Sequence, residues 1–409
     1  MDDSAGAYAV RIFNEIGGNA NKLILDSVSG IVEFEVVALT GGTQRFFLQV
    51  QEFSAADVYL GEQTILSLQD TTGYFSVDFS TKTWDPLTTK IRFMFGGENY
   101  SGQQGTIELN YFNYNNNNQN WSNSANWSAT SAGSGGASPP GIGNNAIFDG
   151  ALGHNGICFL DAPVTIDNLI FSGYNGSLDL GGNDLTISNA VNFTTGNITN
   201  SLPTTGSIVL NCTDSVSFES AIFSATITGF ASNVFLNNSI FNYKFDMEKN
   251  GPGTDVSSGG NVFNDTTVLR INNASGTLRL ADNIGDRFNK STTFISTSGE
   301  IEPAYNDTTI FQDAITVNSL TPITFGAGNG SILFSGNNNQ TFNNSGTASP
   351  VVQRLIMNKT ADSLVLNTTV MVGDSATFIS GIINTTPAAI LEFRDNATFS
   401  GANNNSYVE

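Results

Sequence analysis

Positive charge is scarce in this chain. Fifteen Lys and Arg stand against 36 Asp and Glu, a formal charge of −21, and no Lys or Arg lies between Arg92 and Lys244. A surface of that sign repels phosphate, which argues against nucleic acid and anionic membranes as partners. Histidine occurs once, at His154, which excludes HExxH zinc sites and His-rich metal clusters; within "GALGHNG" it reads as an exposed turn residue. The two cysteines form no CxxC pair and no disulfide framework. Cys158 in "GICFLD" and Cys212 in "IVLNCTD" sit in apolar, strand-like text and read as buried thiols, a single bridge between them being the alternative. No Lys follows a Gly, so P-loop phosphate chemistry is out. No run approaches the roughly 18 apolar residues of a membrane-spanning helix. The opening "MDDSAG" is not a signal peptide; it fits a cytosolic protein or a mature segment with an added Met, and the composition favours the second.

What is abundant is uncharged. The 409 residues include 50 Asn, 42 Gly and 30 Phe, with 39% hydrophobic and only 12% charged. That length allows two to four domains with real cores, and the composition is that of an extracellular, β-rich protein. Only five Asn precede residue 111, which divides the chain. The first part alternates apolar and polar residues in short runs such as "YAVRIF", "VEFEVVAL", "RFFLQVQEF", "YFSVDF", "KIRFMF" and "TIELNYF". This period of two predicts half-buried strands, and about seven of them divided by turns predict an antiparallel β-sandwich over 1–113. A polar stretch over 114–146 reads as a linker, except that Trp121 and Trp127 interrupt it; burying an indole predicts docked structure there, a cap on whatever follows.

From 147 to 409 the chain repeats. Phe171, Phe193, Phe218, Phe241, Phe263, Phe288, Phe311 and Phe334 recur at 21–25-residue spacings, a series continued by Met357, Phe378 and Phe399. "VFNDTTVLRINNASGTLRLADN", "RFNKSTTFISTSGEIEPAYND" and "IFQDAITVNSLTPITFGAGN" align as three copies of one unit of short strands and turns. A fixed period of this length with β text in every copy predicts stacked coils, each burying the inward side chains of its neighbours. About eleven coils spaced about 4.8 Å apart give a rise of about 50 Å. Turn asparagines would stack as amide ladders, and like charges would be avoided on successive rungs because stacking them is costly. The expected fold is therefore all-β: the antiparallel sandwich, then a parallel β-helix.

The order Trp121, Asn126-Trp127, Pro139-Pro140 and "NNAIFDG" with Phe148 resembles the entry of β-solenoid passengers in bacterial surface proteins, with Asn145 near where those carry Asp. The units around "GGNVFNDTTVLRINNASGTLRLADN" and "PAYNDTTIFQDAITVNS" resemble repeats of large secreted Bacteroidetes adhesins, and the tail "ILEFRDNATFSGANNNSYVE" is similar to a segment those proteins place after the solenoid. The resemblance covers about residues 115–409. It implies Trp121, Asn126, Trp127 and Phe148 as a solenoid entry cap and export to the cell surface, by the type IX route and its secretion machinery. It also implies a natural chain that continues beyond this one. The first 113 residues resemble only a general type, the galactose-binding-like jelly roll. Asp-Ser/Thr triplets resembling the Bacteroidetes O-glycosylation signal mark Ser4, Ser27, Thr71, Ser215, Thr266, Thr308, Ser363 and Ser375, although Asp-Ser/Thr pairs equally suit ordinary turns.

Candidate chemistry is thin. A polysaccharide-cleaving β-helix needs paired carboxylates, or a base with cations. The densest charged cluster, Lys244, Asp246, Glu248, Lys249 and Asp255, reads as a solvated excursion from one coil rather than a catalytic loop. No catalytic residue and no cofactor is expected. Structural calcium would fall on Asp282 and Asp286, while "LGGNDLTIS" reads as a plain turn. In the N-terminal module Tyr59, Trp84 and Tyr100 stand near predicted strand ends or loops, where aromatic rings stack on sugars. The expectation is a non-enzymatic stalk or adhesin segment whose partner is an extracellular glycan or a surface protein. A polysaccharide lyase or hydrolase and a secreted filament component are the rivals.

Overall fold

A computed structural model describes the chain apart from residues 1–6, 12–22, 25–30, 41–43, 55–57, 70, 79–82, 84, 86, 89, 100–105, 116–119, 132, 134, 151–155 and 202–205. It is all-β and falls into two compact units, Met1–Asn126 and Trp127–Glu409. The division lies inside the stretch read as a linker.

The first unit holds β1 (Ala7–Arg11), β2 (Leu23–Ile24), β3 (Ile31–Thr40), β4 (Gln44–Phe53), β5 (Tyr59–Gln69), β6 (Gly73–Asp78), β7 (Lys90–Asn99) and β8 (Thr106–Asn115). They form two antiparallel sheets. One runs β1-β7-β4-β5 with β2 also on β7, and the other runs β6-β3-β8. The alternating text does set strand parity: Leu48 and Val50 on β4 and Val36 on β3 are buried, as a period of two requires.

From Asn145 the second unit is a parallel β-solenoid of about eleven coils. Its interior is aromatic. Phe223, Phe241, Phe263, Phe288 and Phe311 lie on successive rungs in strict register. Their rings stack nearly parallel at 5.2, 4.9, 4.7 and 5.0 Å between centroids. One rung spacing repeated in register brings the rings to stacking distance, and the next pair, Phe311 and Phe334, is wider and tilted, at 6.3 Å and 35°.

The phenylalanines do not form the single series that their spacing suggests. Phe148, Phe171, Phe193 and Phe218 make one column, and Phe218 is followed there by Leu236. A second column begins Cys158, Leu178, Ile198, Phe223 and runs on to Phe334, Met357 and Phe378. The rung between them is short: Phe223 pairs with Phe241, 18 residues on. The apparent 23-residue step from Phe218 to Phe241 is therefore a five-residue corner plus one short coil. Phe399 likewise pairs with Ala376 rather than Phe378, and it is 67% exposed.

Polar side chains stack as well. Asn189 donates to Asn168 at 2.9 Å, Asn289 to Asn264 at 2.7 Å, and Asn264 to Asn242 at 2.8 Å. These amides satisfy one another along the axis. A second polar column is buried. Ser239 N–H donates to Asn261 Oδ1 at 3.0 Å. The Asn261 N–H and Nδ2 both donate to Asp286 Oδ1 at 2.9 Å, and Asp286 N–H donates to Thr309 Oγ1 at 3.3 Å. Where charges meet across rungs they are opposite: Arg270 with Asp246, Arg279 with Glu302 at 2.7 Å and Arg354 with Asp374 at 2.7 Å.

The charged cluster is not a solvated excursion. Phe245–Lys249 and Gly253–Val256 are rung strands, and Lys249 points inward to Asp255 at 2.8 Å with side-chain exposures of 0% and 3%. The Lys249 ammonium also donates to the Ser232 and Pro252 carbonyls, so the corner solvates it in place of water. On the outward parity Asp246 takes Lys244 and Arg270.

Candidate functional site

The arrangement best suited to bind a ligand lies at the β4–β5 end of the first unit. The hairpin is closed by Ser54 N–H donating to Val58 O at 2.9 Å. Tyr59 opens β5 with its ring 52% exposed and set edge-on to the buried Phe53 at 5.8 Å. Beneath it, Glu52 falls on the buried parity of Leu48 and Val50 and is 4% exposed. Its carboxylate accepts from Gln63 Nε2 at 2.9 Å, Asp85 N–H at 2.9 Å and Thr88 Oγ1 at 2.7 Å. Burial pushes the Glu52 pKa up, but these three hydrogen bonds outweigh it and hold the group below the usual carboxylate range. Gln63 Nε2 also donates to the Thr83 carbonyl at 2.8 Å. One buried carboxylate, with Gln63, thus ties Thr83, Asp85 and Thr88 to the hairpin.

Val58, Tyr59 and Leu87 stay exposed at this corner, at 58%, 52% and 66%. Partial desolvation, then the Glu62 carboxylate that accepts the phenol's hydrogen bond, raises the Tyr59 pKa, so the phenol is neutral at physiological pH. A neutral ring face beside carboxylates and amides is suited to stack on a sugar and bond its hydroxyls. Of the other aromatics read for this role, Trp84 and Tyr100 lie outside the described residues, although Thr83 and Asp85, on either side of Trp84, are both tied to the clamp. Glu52 was the residue missed by sequence reasoning; its signal was a carboxylate on the buried parity of an alternating strand.

The entry-cap residues divide. Trp127 and Phe148 meet in the solenoid unit, ring centroids 5.7 Å apart, and Phe148 stacks on Phe171 at 4.6 Å. Trp127 therefore covers the mouth of the first aromatic column. Trp121, 2% exposed, and Asn126, whose amide donates to Asn120 O at 2.8 Å, belong to the first unit.

Of the triplet hydroxyls, Ser4 and Ser27 lie outside the described residues and Thr71 is exposed. Ser215, Thr266 and Ser375 are half-buried. Thr308 Oγ1 bonds Ser331 at 2.7 Å, and Ser363 is buried and bonds Asn339. Asp265 and Asp307 accept from the next backbone N–H at 2.6 and 2.7 Å, the turn geometry that such pairs suit.

The two carboxylates of the expected cation pair have different surroundings. Asp286 is interior, and burial pushes its pKa up to about 7, whereas Asp282 is half-buried and accepts from Asn306 at 3.0 Å. In "LGGNDLTIS" Gly181 and Gly182 have φ of 54° and 75°, and Asp179 Oδ1 accepts the Gly181 N–H at 2.9 Å, a self-satisfied turn. Cys158 and Cys212 are free and buried, their thiols pushed up to about 12 by burial and then by Asp161 and Asp214; such thiols are unreactive. His154 lies outside the described residues. Comparison with family models, curated proteins and solved structures finds no match to this chain.

Proposed function

We propose that this chain is a non-enzymatic segment of a secreted, cell-surface bacterial protein. In this reading the solenoid is a stiff spacer and the first unit is a carbohydrate-binding module of jelly-roll type. The observation that carries the spacer role is the continuous strand pairing from rung to rung, with rings and amides stacked along much of it: each rung is held by its neighbours, so the unit resists bending at every level. Two antiparallel sheets with buried Val36, Leu48 and Val50 support the sandwich. The binding role rests on Tyr59. Its exposed ring sits on a clamped corner with Glu52, Glu62 and Asp85, and that negative charge favours neutral or amino sugars over uronates. The enzyme reading loses its densest cluster, because Lys249 and Asp255 neutralise each other in the interior.

A glycan array probed with the full chain and with Tyr59→Ala tests the reading. The expected result is binding to neutral or amino-sugar glycans that falls at least about tenfold in the variant, consistent with loss of an aromatic contact. No retention on any glycan refutes the carbohydrate role and leaves a protein partner.

A further inference from the structure

One face of the solenoid breaks the usual pattern of apolar inside and polar outside. On the rungs that carry the Phe223–Phe378 column, the residue before each ring points outward. Those outward residues are Ile222, Ile240, Val262, Ile310, Leu333 and Ile356, in register; Arg287 occupies the same column between Val262 and Ile310. Strands apolar on both faces are those that become covered on both.

The two columns flanking this ridge are equally unusual. From Ser224 to Asn358 on one side, residues two positions on are all amides or hydroxyls. From Ser220 to Ser375 on the other, they are Gly, Ser, Thr and Asn apart from Arg354, whose charge is met by Asp374 at the rim. No carboxylate stands in any of the three columns, in a chain of net charge −21. The Arg287 Nε donates to Asn289 Oδ1 at 2.8 Å, which lays the guanidinium along the surface. The other faces do carry outward acids: Asp246 and Glu248 on one, Glu300 and Glu302 on another.

We propose that this face is a self-association surface, packing against the same face of a second copy of the chain. Two copies so acidic repel one another, and through this face they can meet without opposing carboxylates. Arg287 apart, the ridge repeats one chemistry and is complementary to itself, as a two-fold contact requires. The size fits. Seven rungs about 4.8 Å apart and three outward columns about 6.7 Å apart make a patch of about 34 by 20 Å, or about 700 Å². A stable interface uses about 800 Å² per partner.

Sedimentation equilibrium of the full chain over the micromolar range tests this. Ile310→Lys/Leu333→Lys alters the ridge, and Thr293→Lys/Thr316→Lys places the same charge on a different face. Circular dichroism checks that each variant is folded; should the first not fold, Ile310→Thr/Leu333→Thr replaces it. The expected result is a dimer for the wild type and the Thr293/Thr316 variant, with association weakened roughly a hundredfold or more in the ridge variant by burial of unpaired charge. A monomeric wild type, an open-ended assembly, a ridge variant that stays dimeric, or equal loss in both variants overturns the proposal.

Discussion

Asp286→Asn should stabilise the solenoid at neutral and alkaline pH and leave it nearly unchanged in acid. Asp286 is 1% exposed, and the partners it has along the column are neutral: Asn261 from the rung before and Thr309 from the rung after. Burial is the largest influence on its carboxyl and raises the pKa from 3.8 to about 7, against the opposing hydrogen bonds from Asn261. Between those values the folded chain holds a proton that the unfolded chain has released. Stability therefore falls as pH rises from about 4 to about 7 and is level above that. A shift of about three pH units at about 1.4 kcal/mol each sets a ceiling of about 4 kcal/mol; relaxation around the charge makes a few kcal/mol the expected effect. Asparagine reproduces the neutral acid: its Oδ1 keeps both bonds from Asn261, and its amide cannot ionise. Urea denaturation of wild type and variant at acidic, near-neutral and alkaline pH gives the difference directly, which cancels the titration of other carboxylates. Equal midpoints at every pH, or a variant less stable than wild type in alkali, would refute the reasoning.

Two further outcomes follow from the interior. Phe263→Ala should cost about 3–5 kcal/mol, because the ring is stacked at 4.9 and 4.7 Å on both sides and its loss leaves a cavity between Phe241 and Phe288; denaturation read by far-ultraviolet circular dichroism measures it. Lys249→Met should cost a similar 3–5 kcal/mol by stranding a buried Asp255 carboxylate, and Lys249→Met/Asp255→Asn should recover part of that in the same assay, since an amide oxygen can still accept the Val234 N–H that Asp255 takes at 2.7 Å.

Much of the architecture was legible in the residues. Alternation marked strands β1, β3, β4, β6, β7 and β8, and a period in the twenties with Phe and Asn in each copy marked stacked coils. The burial of both cysteines was legible too, because each sits in strand text. The errors share one cause. Spacing counts residues along the chain, whereas a column is defined by hydrogen bonds between rungs. A five-residue corner followed by an 18-residue rung adds up to an ordinary-looking interval, so Phe218 and Phe241 seemed to be neighbours in one column. The cluster at Lys244–Asp255 failed in a related way. Composition marks charge as surface, but the parity of Phe245, Met247 and Lys249 within one strand sends the lysine inward with them.

What the residues alone determined was periodicity: the repeat length, the alternation within strands, and the near absence of like charges that would have to stack. These are local quantities, set by backbone geometry and by the cost of repeating a charge every rung. What the tertiary structure decided was register. Which ring lies on which, whether Asp286 faces Asn261 or water, and whether Ile222 through Ile356 form one outward ridge all depend on how many residues each corner absorbs. Closing a rung is a balance among turn strain, inward packing and rung-to-rung hydrogen bonds, and it is settled only when the neighbouring coils are in place.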